Sequence, residues 1–81
     1  MLDDTIRAAL ADHGQLAVDP STVRADEDLY AAGLTSHATV NVMLALEDEL
    51  GLEFPEHLLR RSTFQSIDAI AAAVEEARTS S

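Results

Sequence analysis

The chain has 81 residues, no cysteine, and a formal net charge of -10 from 15 acids against five arginines and no lysine. A chain this short is expected to form one domain over residues 1–81, and without disulfides or thiolate metal sites it must rely on packing, which favours a compact helical bundle. So acidic a surface repels nucleic acid backbones and anionic membranes, so neither is an expected partner.

The first residues, MLDDTIRAAL, lack a basic region followed by an apolar run. They do not read as a secretory signal, no segment has the length of a membrane span, and a cytoplasmic protein is the default expectation. Ile6 and Leu10, four apart, predict a first helix with Asp3, Asp4 or Thr5 as its N-cap and Gly14 as its end. A long connection follows from Gln15 to Thr35. Leu16, Val18, Val23, Leu29, Tyr30 and Leu34 punctuate it, which predicts that it lies against the bundle. Asp19-Pro20-Ser21 reads as a turn.

A second helix is predicted from about Ser36 to Leu50. Its inward stripe includes Val42, Leu46 and Leu50, Ser36 is its N-cap or a first-turn residue, and Gly51 is its left-handed stop. Leu52-Glu53-Phe54-Pro55 is expected to be an extended link burying Leu52 and Phe54. A short third helix is predicted over Glu56 to Arg60. The last helix is capped by Ser66 and buries Ile67, Ile70, Ala71 and Val74, with Phe64 placed to close a hydrophobic staple. The tail, Thr79-Ser80-Ser81, is expected to fray. No strand alternation, repeat or low-complexity tract is present. The fold class is all-α: three main helices, one short helix and a long first loop.

Few residues carry chemistry. Ser36 and His37 are adjacent, but neighbours on a helix point about 100° apart, and no Gly-x-Ser-x-Gly elbow surrounds the serine, so no catalytic residue is assigned. His13, His37 and His57 lack zinc-site spacing. Asp26-Glu27-Asp28 hints at calcium, yet Ala31 stands where an EF-hand loop needs glycine, and a charged loop is the better account. No metal site is assigned. What remains is Ser36 itself. A serine opening a helix after a glycine-bearing loop suits a phosphodiester, because free N–H groups and the positive end of the helix dipole favour an anion there. The same residue type is also an ordinary N-cap.

The segment Asp28-Leu29-Tyr30-Ala31-Ala32-Gly33-Leu34-Thr35-Ser36 resembles the attachment motif of acyl and peptidyl carrier proteins. Thr39-Val40, Leu46-Glu47-Asp48-Glu49-Leu50 and Glu53-Phe54-Pro55 are similar to that family's second helix and the link after it, and Phe64 to Ile70 to the start of its last helix. The resemblance implies a four-helix bundle of the acyl-carrier type. It also implies a 4′-phosphopantetheine arm, taken from coenzyme A by a phosphopantetheinyl transferase and attached to Ser36. The arm carries cargo as a thioester between enzymes, and the carrier catalyses nothing.

The departures from the family pattern are informative. Thr35 replaces the usual aspartate, and His37 replaces an aliphatic residue. Nothing from Ala31 through Leu46 is formally charged, whereas fatty-acid carriers commonly have acids early in this helix. These changes argue against a housekeeping fatty-acid role. The run LYAAGLTSHATVNVMLALE resembles stand-alone aminoacyl carrier proteins, which implies loading by an amino acid:carrier protein ligase similar to seryl-tRNA synthetases and delivery to a downstream acceptor enzyme. The alternatives are a discrete carrier for fatty-acid, polyketide or peptide synthesis, and a carrier-like interaction module that is never modified. A monomer is expected. Docking is expected to use Val40, Met43 and Leu44, with Leu34, Thr35 and His37 at the edge and Glu47 aiding encounter.

Overall fold

The computed structural model describes residues 2–80. Helix α1 (Leu2–Ala9) starts before the residues expected to cap it. Asp3 and Asp4 lie inside its first turn, where carboxylates face the positive end of the helix dipole. Ile6 and Ala9 turn inward. The backbone then widens into a π-helical turn over Leu10–Gly14, with Leu10 fully buried. The helix ends at Gly14 as expected, but the left-handed residue is Gln15, at φ 53°.

The long connection is fastened at several points. Asp19 accepts hydrogen bonds from the Ser21 N–H and hydroxyl, both at 2.9 Å, and opens a 3-10 turn over Pro20–Thr22. Those bonds, the backbone one first, hold the Asp19 carboxyl below its usual range. From α1, the Arg7 guanidinium donates to the carbonyls of Pro20 and Val23 at 2.6 and 2.7 Å. Val23, Leu29 and Leu34 are buried, and Leu16 and Tyr30 pack against the core. Val18 departs from expectation and is exposed. Leu16 is the residue of this stretch that packs inward, while the exposed Ala17 is tied through its backbone, donating its N–H to the Ala32 carbonyl at 2.9 Å. The tie needs Gly33: its φ is 114°, and a Cβ there would stand 2.8 Å from the Ala17 nitrogen.

Helix α2 runs from Ser36 to Leu50, the limits its end signals predict. Gly51 closes it in the left-handed conformation and returns its N–H to the Glu47 carbonyl. Ala38, Val42 and Leu46 form the buried stripe, while Leu50, at the end of the helix, is half-buried. In the link, Phe54 is buried and Leu52 only half-buried. Glu47 folds the link back by accepting the Phe54 N–H at 2.9 Å.

The short third helix takes a different form. Glu56–Leu58 and Arg61–Phe64 are separate 3-10 turns, and Arg60 between them is extended, at φ -144°. No side chain caps either turn, and so short a run cannot offset the cost of nucleating an α-helix. Burial of Leu58, Thr63 and Phe64 decides the path instead.

Helix α3 (Ile67–Ser80) has Ser66 as its cap, accepting the Ala69 N–H at 3.0 Å. Ile67, Ile70 and Val74 are buried as predicted; Ala73 and Ala77 complete the stripe, and Ala71 lies at its edge. Phe64 packs edge-on against Phe54, with ring centroids 5.8 Å apart. The expected fraying does not extend to Thr79, which is helical and donates its hydroxyl to the Glu76 carbonyl; Ser81 lies outside the described residues. Helix α1 packs against both α2 and α3. The loop is pinned to the start of α3 by Leu29 N–H to Gln65 carbonyl (2.7 Å) and Asp68 N–H to Ala25 carbonyl (2.9 Å). Among the described residues there is no strand, and no helix is long and apolar enough to cross a membrane. Over the described residues the fold is all-α, with three α-helices and a long first loop, as expected.

Candidate functional site

Three hydroxyls cluster where the loop enters α2, and hydrogen bonding separates them. Thr35 is the N-cap: its side chain accepts the Ala38 N–H at 3.0 Å. Thr39 donates its hydroxyl to the Thr35 carbonyl at 2.8 Å. Ser36, the first helical residue, is exposed, and its hydroxyl has no partner among the described residues. The cap is therefore Thr35, and Ser36 is the first-turn residue. The Ala38 N–H is taken by the Thr35 side chain and the Thr39 N–H by the Thr35 carbonyl, whereas the N–H groups of Ser36 and His37 have no partner among the described residues. An anion attached to Ser36 would meet the positive end of a 15-residue helix.

His37 is exposed and makes no hydrogen bond with Ser36, so the pair lacks the contact a nucleophile and base require. The other histidines lie elsewhere. His57 pairs with Glu76 on α3, and His13 borders the far side of α2. The acids of the loop are used locally. Asp26 pairs with Arg24 at 3.2 Å, Glu27 accepts the Arg24 N–H, and Asp28 accepts the Tyr30 N–H at 2.9 Å. Among the described residues no three His, Cys, Asp or Glu side chains are grouped to hold a metal ion.

The expected docking residues divide. Leu34 is buried, and its side chain belongs to the core. Thr35 is exposed, but its hydroxyl is committed to the cap. Glu47 is half-buried and bound to the Phe54 N–H. Val40 and Met43 share one groove with Ser36. Leu44, also exposed, opens on a second groove of about 700 Å³ between α1 and α2, edged by Asp4, Asp12, Asp48 and Glu49.

The groove beside Ser36 has a volume of about 330 Å³ and a mostly apolar lining. Its far wall is Leu59, Arg60 and Arg61, which sequence reasoning missed. Arg61 lies over the Tyr30 ring, 3.8 Å from its centroid, and Tyr30 donates its hydroxyl to the Arg61 carbonyl at 3.0 Å. The one available signal was the Arg60-Arg61 pair in a chain otherwise poor in cations.

The comparisons with known proteins agree with this geometry. The sequence model of the family described as "Phosphopantetheine attachment site" matches residues 4–74. The chain is 46% identical over 74 residues to the aminoacyl carrier protein of Agrobacterium fabrum, covering 91% of this chain and 89% of that one. It superposes with TM-score 0.90 and 45% identity on the carrier protein from Agrobacterium tumefaciens, solved with an engineered Bradyrhizobium japonicum glycine:[carrier protein] ligase and ATP; 94% of this chain and 99% of that chain are covered. A glycylated carrier protein, solved with the Bradyrhizobium japonicum glycine:[carrier protein] ligase, matches with TM-score 0.76 and 26% identity over 89% of this chain and 96% of that one. With fold and sequence both matching, the chain belongs to the phosphopantetheine-attachment family and is a carrier protein, not an enzyme.

Proposed function

We propose that this chain carries an amino acid as a thioester on a 4′-phosphopantetheine arm attached to Ser36. The observation that carries this reading is the free, exposed hydroxyl of Ser36 at the start of a rigid helix, beside two hydroxyls already in use. When bound, the arm supplies the thiol that accepts the activated amino acid. The chain itself presents Ser36 to a transferase and holds the anionic linkage at the positive end of α2. The cargo is argued from the relatives: an aminoacyl carrier protein, and carriers solved with glycine:[carrier protein] ligases. A small amino acid is the expected substrate class.

The partners in this reading are a phosphopantetheinyl transferase, an amino acid:carrier protein ligase related to seryl-tRNA synthetases, and a downstream acceptor enzyme. The carrier acts as a monomer of one domain in the cytoplasm.

The test begins with coenzyme A, magnesium and a broad-specificity transferase, followed by intact mass and peptide mapping. One adduct on Ser36, lost in Ser36→Ala, is expected. The holo form is then offered to a glycine:carrier ligase with ATP, and neutral hydroxylamine should release the amino acid. No adduct, or an unchanged adduct in Ser36→Ala, would leave an unmodified interaction module. Charging only by acyl transferases would favour a fatty-acid or polyketide carrier.

A further inference from the structure

Arg60 and Arg61 stand out by what they lack. Each of the other three arginines pairs with an acid: Arg7 with Asp3, Arg24 with Asp26, Arg78 with Glu75. Arg60 and Arg61 have no acidic partner among the described residues, although the chain carries three acids for every arginine. Both line the groove that opens at Ser36. In so acidic a molecule, cations would ordinarily be drawn to its own carboxylates. Arg61 is instead stacked on Tyr30, and Arg60 lies on the extended backbone between the two 3-10 turns, where it also borders a separate shallow groove with Glu76 without pairing to it.

We propose that Arg60 and Arg61 are positioning residues that pair with the phosphodiester at the root of the arm and hold that root over the groove beside Ser36. The inference rests on attachment at Ser36 and deepens it. A phosphodiester carries one negative charge and acceptor oxygens that suit the guanidinium fork. The helix start supplies N–H groups on one side of Ser36, and the arginines supply cations across the groove. Val40, Met43 and Leu59 offer an apolar floor for the branched carbon segment that follows the phosphate. The outer part of the arm, with its thiol, extends beyond this hold. Its swing therefore starts from a fixed base.

The test compares wild type, Arg60→Gln, Arg61→Gln and Arg60→Lys. Each is converted to the holo form, with yield read by intact mass. Phosphorus relaxation of the diester and the guanidinium Nε–H resonances are then measured at about 0.02 M and about 0.5 M salt, because screening separates an ion pair from a packing contact. At low salt, modification should shift the Arg60 and Arg61 Nε–H signals, and the phosphorus should relax as part of the folded body. Both effects should be lost in the glutamine variants and at high salt, and the lysine variant should keep the phosphorus effect. Arg61→Gln also loses the stack on Tyr30, so Arg60→Gln, whose side chain makes no other polar contact among the described residues, carries the test if Arg61→Gln unfolds. Full conversion with identical phosphorus relaxation in wild type and Arg60→Gln at both salts would overturn the proposal. So would a raised transferase KM in that variant without any phosphorus change, since the arginines would then serve an acidic enzyme surface. Absence of any adduct on wild type overturns attachment at Ser36, and the inference with it.

Discussion

Thr35 stands where the resemblance to carrier proteins leads one to expect an aspartate, and it caps α2. An aspartate in that place would accept the same N–H with a carboxylate, and Thr35 does so with a neutral hydroxyl. Removing it in Thr35→Ala should cost about 1 kcal/mol, within the ordinary range for a lost N-cap. Thr35→Asp should restore or exceed wild-type stability, because the added charge faces the positive end of α2. Denaturant midpoints of the three proteins check this, and a midpoint for Thr35→Ala equal to wild type would show that the cap contributes nothing. The family's aspartate is thus replaceable at this position without loss of the helix start. The departure that set this chain apart in sequence is a change of capping chemistry, and Ser36 stays free in either case.

At the scale of elements, α2 is the beam on which the site rests. Leu46 is fully buried in the middle of its inward stripe. Leu46→Ala should therefore destabilise by about 2–5 kcal/mol, read as a lower denaturant midpoint at unchanged slope. For a domain of this size that is a large share of the total. The limits and inward face of α2 were legible in sequence, because a serine suited to a helix start and a glycine mark its ends and the apolar residues keep a helical period, although the cap itself is Thr35. The segment from Glu56 to Phe64 was not. Its path is set by which of Leu58, Thr63 and Phe64 reach the core, and no local period encodes that. Ser36 could be read from its own neighbourhood. The groove beside it could not, since Tyr30, Val40 and Arg60 come from three separate stretches that only the folded chain brings together.

For the molecule as a whole, the formal charge of -10 does not translate into an acidic docking helix. No acid lines the groove beside Ser36, while Asp28 is bound to the Tyr30 N–H and Glu47 to the Phe54 N–H. Beside Ser36 the surface is Val40 and Met43 on one wall and arginine on the other. Partner docking at this face should therefore depend on apolar contact more than on long-range attraction. Met43→Ala should raise the ligase KM for the carrier, whereas Glu47→Gln should leave it little changed, and KM should vary weakly between low and moderate salt. A steep salt dependence that vanishes in Glu47→Gln, with Met43→Ala silent, would mean that charge governs the encounter after all.

The groove beside Ser36 is edged by guanidinium groups, and that choice has a chemical consequence. A thioester is an acyl donor, and on a flexible tether it spends its life close to the surface that bears it. An amine of lysine in the place of Arg60 or Arg61 would be a nucleophile within reach, and its neutral fraction would convert the cargo irreversibly to an amide. A guanidinium stays protonated and does not attack. The chain has no lysine anywhere. Its side chains thus supply positive charge at the site without offering an amine on which its own cargo could be lost.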